Sequence, residues 1–268
     1  MVELTVVARH SYRELLDLLL WFHHQGPTPI LIGGWAVYLY NSYVGSVDVD
    51  LVGPSMGGLF DATLESFERE RGYQPVASDP MGLGTRFRKP IIESGELHGY
   101  VEIDACTYEN DVRGFKENTL KELPYELCSR RGLTAQVALS RNCEVLVPVK
   151  PLLFLYKLKA LRDRQHDLRE KEAVLGYERA AWLRSKIVKD GSDLISLIDS
   201  GEYPRVASKE YDASVLRGIV DEFDLGFIVE SIEALPFMVE SRWLYRDVDE
   251  SYVKRLVAQI LDELRAGG

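Results

Sequence analysis

Two aspartates one residue apart, Asp48 and Asp50, are the side chains in this sequence whose spacing most directly suggests chemistry. They lie in Val47-Asp48-Val49-Asp50-Leu51-Val52, whose alternation reads as a strand with both carboxylates on one face and Val47, Val49 and Leu51 on the other. Neighbouring carboxylates repel. A hard divalent cation such as Mg²⁺ or Mn²⁺ relieves that repulsion and takes phosphate oxygens as further ligands. Just upstream, the apolar run Ile30-Leu31-Ile32 leads into Gly33-Gly34 and then Trp35, Val37, Tyr38 and Leu39, the order of a buried strand, a tight turn and a helix. Glycine lets the backbone approach an anion closely, and the amides at a helix start point toward it, so Gly33 and Gly34 are candidates to cradle a polyphosphate. The stretch between the glycines and the acids has room for one helix and a return turn. Together these features point to a nucleotide and a metal.

Three further groups carry candidate chemistry. Tyr100-Val101-Glu102-Ile103-Asp104-Ala105 alternates as a strand, which places Glu102 and Asp104 on one face. Lys157 stands among Phe154, Leu155, Tyr156 and Leu158 in a helical run that begins near Pro151, with Arg164 on about the same side. Asp190 and Asp193 are three apart and share a helix face, a spacing that suits an N-terminal turn near a cation or a substrate proton.

The Gly-Gly, helix and Asp-x-Asp order resembles the nucleotidyltransferase superfamily related to DNA polymerase beta, and in particular its AbiEii and MenT toxin-like branch. That branch commonly has Arg-x-Thr before the acids; here Ser46 stands at the threonine position and the arginine is absent. Pro151, Phe154, Lys157, Leu158, Ala160 and Leu161 fit the helix that follows the branch's catalytic sheet, and Lys189-Asp190-Gly191-Ser192-Asp193-Leu194 fits a later Lys/Arg-Asp-x-x-Asp-Leu segment. The resemblance implies an α/β (α+β) nucleotidyltransferase fold, a mixed sheet with flanking helices followed by a helical C-terminal subdomain. The expected division is a catalytic domain over 1–148 and a helical domain over 149–268 that contributes Lys157 and Asp193 to the site.

The same resemblance implies the roles. Asp48, Asp50 and Asp104 would hold Mg²⁺ or Mn²⁺, with Glu102 the competitor for the third place. Gly33, Gly34 and Ser46 would bind the nucleoside triphosphate, and Lys157 would face its phosphates. The implied reaction transfers a nucleoside monophosphate to a hydroxyl: a tRNA 3′ end, a protein side chain or a small molecule. A cognate antitoxin protein is an implied partner. Two other classes fit parts of the pattern. A glycosyltransferase also uses Asp-x-Asp, normally without the preceding Gly-Gly helix, and a non-catalytic binding module could keep the fold without turnover.

Composition narrows the class. The chain has 268 residues, 46% of them hydrophobic, enough to bury a sizeable core in two subdomains. A net charge of −10 argues against nonspecific coating of nucleic acid, which needs clustered Lys and Arg; only residues 151–200 are net basic. Cys106, Cys128 and Cys143 are too few and too dispersed for a disulfide framework. No apolar run reaches the roughly 18 residues of a membrane span, and the N-terminus lacks a signal-peptide pattern, so a cytoplasmic protein is expected. The remaining expectations are a helix over 11–25 with Ser11 as N-cap, a helix over 59–71, a strand near 73–76, a loop over 78–84, rim strands over 106–148, a helical hairpin over 162–189, and helices beyond 201.

Overall fold

The computed structural model describes residues 4–76, 85–109, 114–140, 143–171, 174–199 and 211–266. The chain divides into two compact units. The first comprises residues 1–112, 124–149 and 204–208, and the second comprises 113–123, 150–203 and 209–268.

The first unit opens with helix α1, Val6–Gln25. It starts earlier than its apolar pattern suggests, because Thr5 is the N-cap and its side chain accepts from the Ala8 amide at 3.3 Å. Ser11 is instead inside the helix, fully buried, and its hydroxyl accepts from Trp35 Nε1 at 2.9 Å. Leu15, Leu18, Leu19 and Phe22 form the buried stripe. Strand β1, Ile30–Ile32, runs directly into helix α2, Gly33–Tyr40, and strand β2, Asp48–Gly53, returns antiparallel to β1. Helix α3 is Leu59–Arg71, ended by Gly72 at φ 72°.

Strand β3 is only Gln74–Pro75, at the sheet edge where a proline costs no ladder bond. The expected loop over 78–84 falls outside the described residues. Strands β4, Thr85–Glu93, and β5, Glu96–Thr107, form a long hairpin. The short strands β6, Gly114–Phe115, and β7, Asn118–Glu122, belong to the second unit. The chain then returns for β8, Thr134–Ser140, and β9, Cys143–Pro148.

These strands build a seven-stranded mixed sheet in the order β3-β4-β5-β2-β1-β9-β8. Strand β9 is therefore an interior strand, parallel to β1, rather than part of a rim; Val145 and Val147 are completely buried in it. Val49, Leu51, Val101 and Ile103 are buried on the face opposite the acids, and α1 packs against β5 and β9. Helix α2 has no polar stripe, since every residue from Gly34 to Tyr40 is buried, and the Tyr40 hydroxyl donates to the Pro148 carbonyl at 2.8 Å.

The second unit is mainly helical: α4, Lys150–Lys171; α5, Tyr177–Ile198; α6, Ala213–Glu222; α7, Val229–Ala234; α8, Val239–Leu244; and α9, Glu250–Arg265. The first half of α4 and the second half of α5 are buried almost all round, as helices at the centre of a bundle must be. Among the described residues, no helix is long and apolar enough to cross a membrane.

Candidate functional site

The carboxylates of the first unit are positioned by strand register. β2 and β5 run parallel, with Asp48 opposite Glu102 and Asp50 opposite Asp104. Residues paired across neighbouring strands point to the same face, and strands lie about 4.8 Å apart. Four carboxylates thus form two adjacent rows on one face. The intervening Val49 and Ile103 are buried on the other, whereas all four acids stay partly accessible. Val47 lies just before the strand and is exposed, so it does not join the buried row.

Glycine geometry ties the turn to this row. Ile32 pairs with Asp50, and Gly33 follows at φ 68°, a left-handed conformation that side chains rarely adopt. A Cβ at Gly33 would stand 2.6 Å from Asp50 Cγ and overlap its carboxylate oxygen. Gly33 is therefore needed twice, for its backbone angle and because the Asp50 carboxylate lies against its Cα. The N-cap of α2 is Ile32, whose side chain has no hydrogen-bond acceptor to offer the first-turn amides. Those amides begin beside Asp50, where a phosphate bound near the carboxylates would find them. Ser46 sits in the segment between α2 and β2, partly exposed.

Among the described residues, no three or more His, Cys, Asp or Glu side chains are already gathered around a point in the manner of a preformed metal centre. The donor set nevertheless fits a hard divalent cation. The candidate ligands are all carboxylate oxygens, arranged in rows with Gly33 packed against one of them, and with no nitrogen or sulfur donor among them.

Lys157, Lys189, Asp190 and Asp193 come together in the second unit. Lys157 Nζ is 2.7 Å from Asp193 Oδ2 and 3.6 Å from Asp190 Oδ1; Lys189 Nζ is 2.5 Å from Asp193 Oδ1; Arg164 pairs with Asp190. Burial opposes the charge on Asp193, but Lys157 and Lys189 outweigh it and hold its carboxyl below the usual range. Burial also lowers the Lys189 ammonium, with Asp193 opposing that shift. The two aspartates lie in the second half of α5 rather than in an N-terminal turn. Gly191 and Ser192 between them have a packing role that spacing alone did not reveal. A Cβ at Gly191 would meet Ser241 and Met238, and the Ser192 hydroxyl donates to the Ser241 carbonyl at 2.8 Å, so this short segment lets α8 approach α5 closely.

His23 and His24 end α1 stacked edge to face on each other, 5.2 Å between centroids. Glu102, read from sequence as the competitor of Asp104, is its companion on the same face, opposite Asp48.

No family model matches this sequence, and no curated relative matches it. Among solved structures, the chain is similar to an antigenic nucleotidyltransferase-like protein from Paracoccidioides brasiliensis, with a TM-score of 0.40 and 16% sequence identity. The similarity covers 83% of this chain and 89% of that one.

Proposed function

We propose that this protein is a metal-dependent nucleotidyltransferase that moves a nucleoside monophosphate from a nucleoside triphosphate to a hydroxyl acceptor and releases pyrophosphate. The observation that carries this reading is the register that sets Asp50 beside Asp104 on one strand face while Gly33 lies against the Asp50 carboxylate.

Each residue has a distinct task. Gly33 and Gly34 hold the outgoing phosphates with the amides at the start of α2, and Ser46 is a further phosphate contact. Asp48, Asp50 and Asp104 would hold Mg²⁺ or Mn²⁺, which when bound stabilises charge on the phosphate oxygens and acidifies a nearby hydroxyl. The acceptor oxygen attacks the α-phosphorus, the bond from that phosphorus to the oxygen bridging the β-phosphate breaks, and pyrophosphate departs on the glycine side. The acceptor proton passes to the Asp104 carboxylate. All of this chemistry lies in the first unit. Assignment to the AbiEii and MenT-like branch is supported by the sequence fits at 151–161 and 189–194.

The test is incubation with each α-labelled nucleoside triphosphate, Mg²⁺ and a total cell lysate, followed by separation of RNA, protein and small molecules. Metal-dependent label in one fraction is the expected result. In a parallel incubation with labelled sugar nucleotides, label released there with none incorporated from the triphosphates would replace this reading with a glycosyltransferase.

A further inference from the structure

Strands β4 and β5 run on past the rest of their sheet. Strand β2 accompanies β5 only from Glu102 to Thr107, and β3 accompanies β4 only at Phe87 and Arg88. Among the described residues, 89–93 and 96–101 are therefore a ribbon of two strands. Its back is covered. Ile91 and Val101 are buried, a Cβ at Gly99 would touch Val7 of α1 at 3.4 Å, and His10 of α1 holds Glu93 at 2.7 Å.

The front is bare and apolar. Pro90 is opposite Tyr100, and Ile92 is opposite Leu97. The register slips by one residue between these pairs, and that bulge turns Leu97 to the same side as Tyr100. Without it, alternation would send Leu97 to the back, the side of Val101. Ile92 is 62% exposed, Leu97 57% and Tyr100 40%, with Pro90 exposed beside them. Together they show roughly 300 Å² of apolar surface, the size at which a surface patch marks an interaction.

The charges at the two ends of this platform decide what covers it. At the base, Arg88 stands one row inward of Pro90 and Tyr100 on the same face, its guanidinium carbon 5.0 Å from the centroid of the Tyr100 ring. At the tip, Glu96 follows the Ser94-Gly95 turn, and Glu93 opposite it is taken by His10. Among the described residues Arg88 makes no ion pair, although Glu102 is opposite it in register, and Glu96 makes none either. From base to tip the ribbon runs cation, apolar, apolar, anion over roughly 17 Å, five residues at the rise of a strand. Turned end for end, this order meets itself: apolar rows lie on apolar rows, and each Arg88 comes to the other copy's Glu96. A two-fold axis between the Pro90–Tyr100 and Ile92–Leu97 rows produces that match.

We propose that the platform is a homodimer interface, in which the ribbons of two copies pack face to face and antiparallel. The two platforms supply roughly 600 Å² of apolar core, and their charged ends bring the buried area to about 1,200 Å², the low end for a stable interface, so the dimer forms at micromolar concentration. An added strand is the competing occupant of a ribbon, and Pro90 opposes it on β4, because a proline in a ladder keeps its missing N–H on the open edge. A lipid surface calls for several cations, and this face has Arg88 alone among the described residues. The inference is independent of the reaction assigned to the acid face.

The experiment is sedimentation equilibrium of the full chain from about 1 to 100 μM, a range that brackets such an affinity. Wild type is expected to pass from monomer to dimer across it. Ile92→Ser/Leu97→Ser removes the core of the interface and stays monomeric throughout. Arg88→Glu and Glu96→Arg each create two like-charge meetings per dimer and weaken it about tenfold or more. Combined, Arg88→Glu/Glu96→Arg exchanges the two ends and restores the dimer to within about threefold of wild type. All four positions are exposed, so the melting temperature at the lowest concentration stays near wild type in every variant. Wild type that is monomeric at the highest concentration overturns the proposal, whatever else then binds the platform. A dimer that survives Ile92→Ser/Leu97→Ser overturns it too, as does a charge exchange no tighter than the single changes, since ends that do not meet cannot compensate.

Discussion

Gly33→Ala is the substitution through which the geometry of the acid face can be weighed. The new methyl meets two separate obstacles. Gly33 has φ 68°, where an alanine costs about 1–2 kcal/mol. The added Cβ also lies 2.6 Å from Asp50 Cγ and 2.9 Å from its Cβ, an overpacking that costs about 1–3 kcal/mol to relax. The sum is roughly 2–5 kcal/mol, a large part of a domain's stability. The two parts separate in a double-mutant cycle with Asp50→Ala, which removes Cγ and the carboxylate and leaves only the 2.9 Å Cβ contact. In that background Gly33→Ala should cost only about 1–2 kcal/mol, a coupling of at least about 1 kcal/mol. Urea unfolding, with hydrogen exchange over residues 30–40 as the local readout, measures all four corners. Equal costs of Gly33→Ala in both backgrounds would refute the contact between the glycine turn and Asp50.

Other substitutions test neighbouring claims. Asp104→Asn should lower transfer by about 10²-fold or more, the scale of a lost general base, and Glu102→Gln by less, because Asp104 is the residue opposite Asp50; the reverse order in single-turnover rates would assign the role to Glu102. Lys157→Met should destabilise the second unit by about 3 kcal/mol, the lower end for a broken buried pair, since Lys189 still faces Asp193. An unchanged melting temperature would contradict that. The depressed Asp193 carboxyl should stabilise the fold fully above the ordinary carboxylate value of about 3.9, with the contribution lost as pH falls through the lower folded value. Asp193→Asn should flatten the acid limb of a stability–pH curve, and an unaltered limb would show that the pair is not what titrates.

Much of the site was legible because strand alternation and glycine are local signals. The alternation at 48–52 and 100–105 placed the acids on their faces, and Gly33-Gly34 marked the turn. Sequence could not show that Asp104 lies beside Asp50, since pairing between β2 and β5 joins segments far apart in the chain. Alternation could assign Glu102 and Asp104 to a face but not to partners. The interior place of β9 was equally hidden, because Cys143–Pro148 is a short apolar run whose neighbours are set by topology. The early start of α1 depended on one threonine cap that a plausible serine six residues later obscured. In α5, acids spaced for a helix N-terminus are instead held in the interior by lysines and an arginine from α4 and α5 itself, a tertiary compensation that spacing does not encode.

The central claim is that Asp48 and Asp50 hold the metal and nucleotide for transfer, and the most direct measurement is pyrophosphate release coupled to label incorporation in the Asp48→Ala/Asp50→Ala variant. Run with α-labelled nucleoside triphosphate and Mg²⁺, it should show incorporation and stoichiometric pyrophosphate from wild type. The double variant should show neither while remaining folded, because removing two like charges from one strand face relieves repulsion. Mg²⁺-dependent incorporation by the double variant at the wild-type rate would contradict the account.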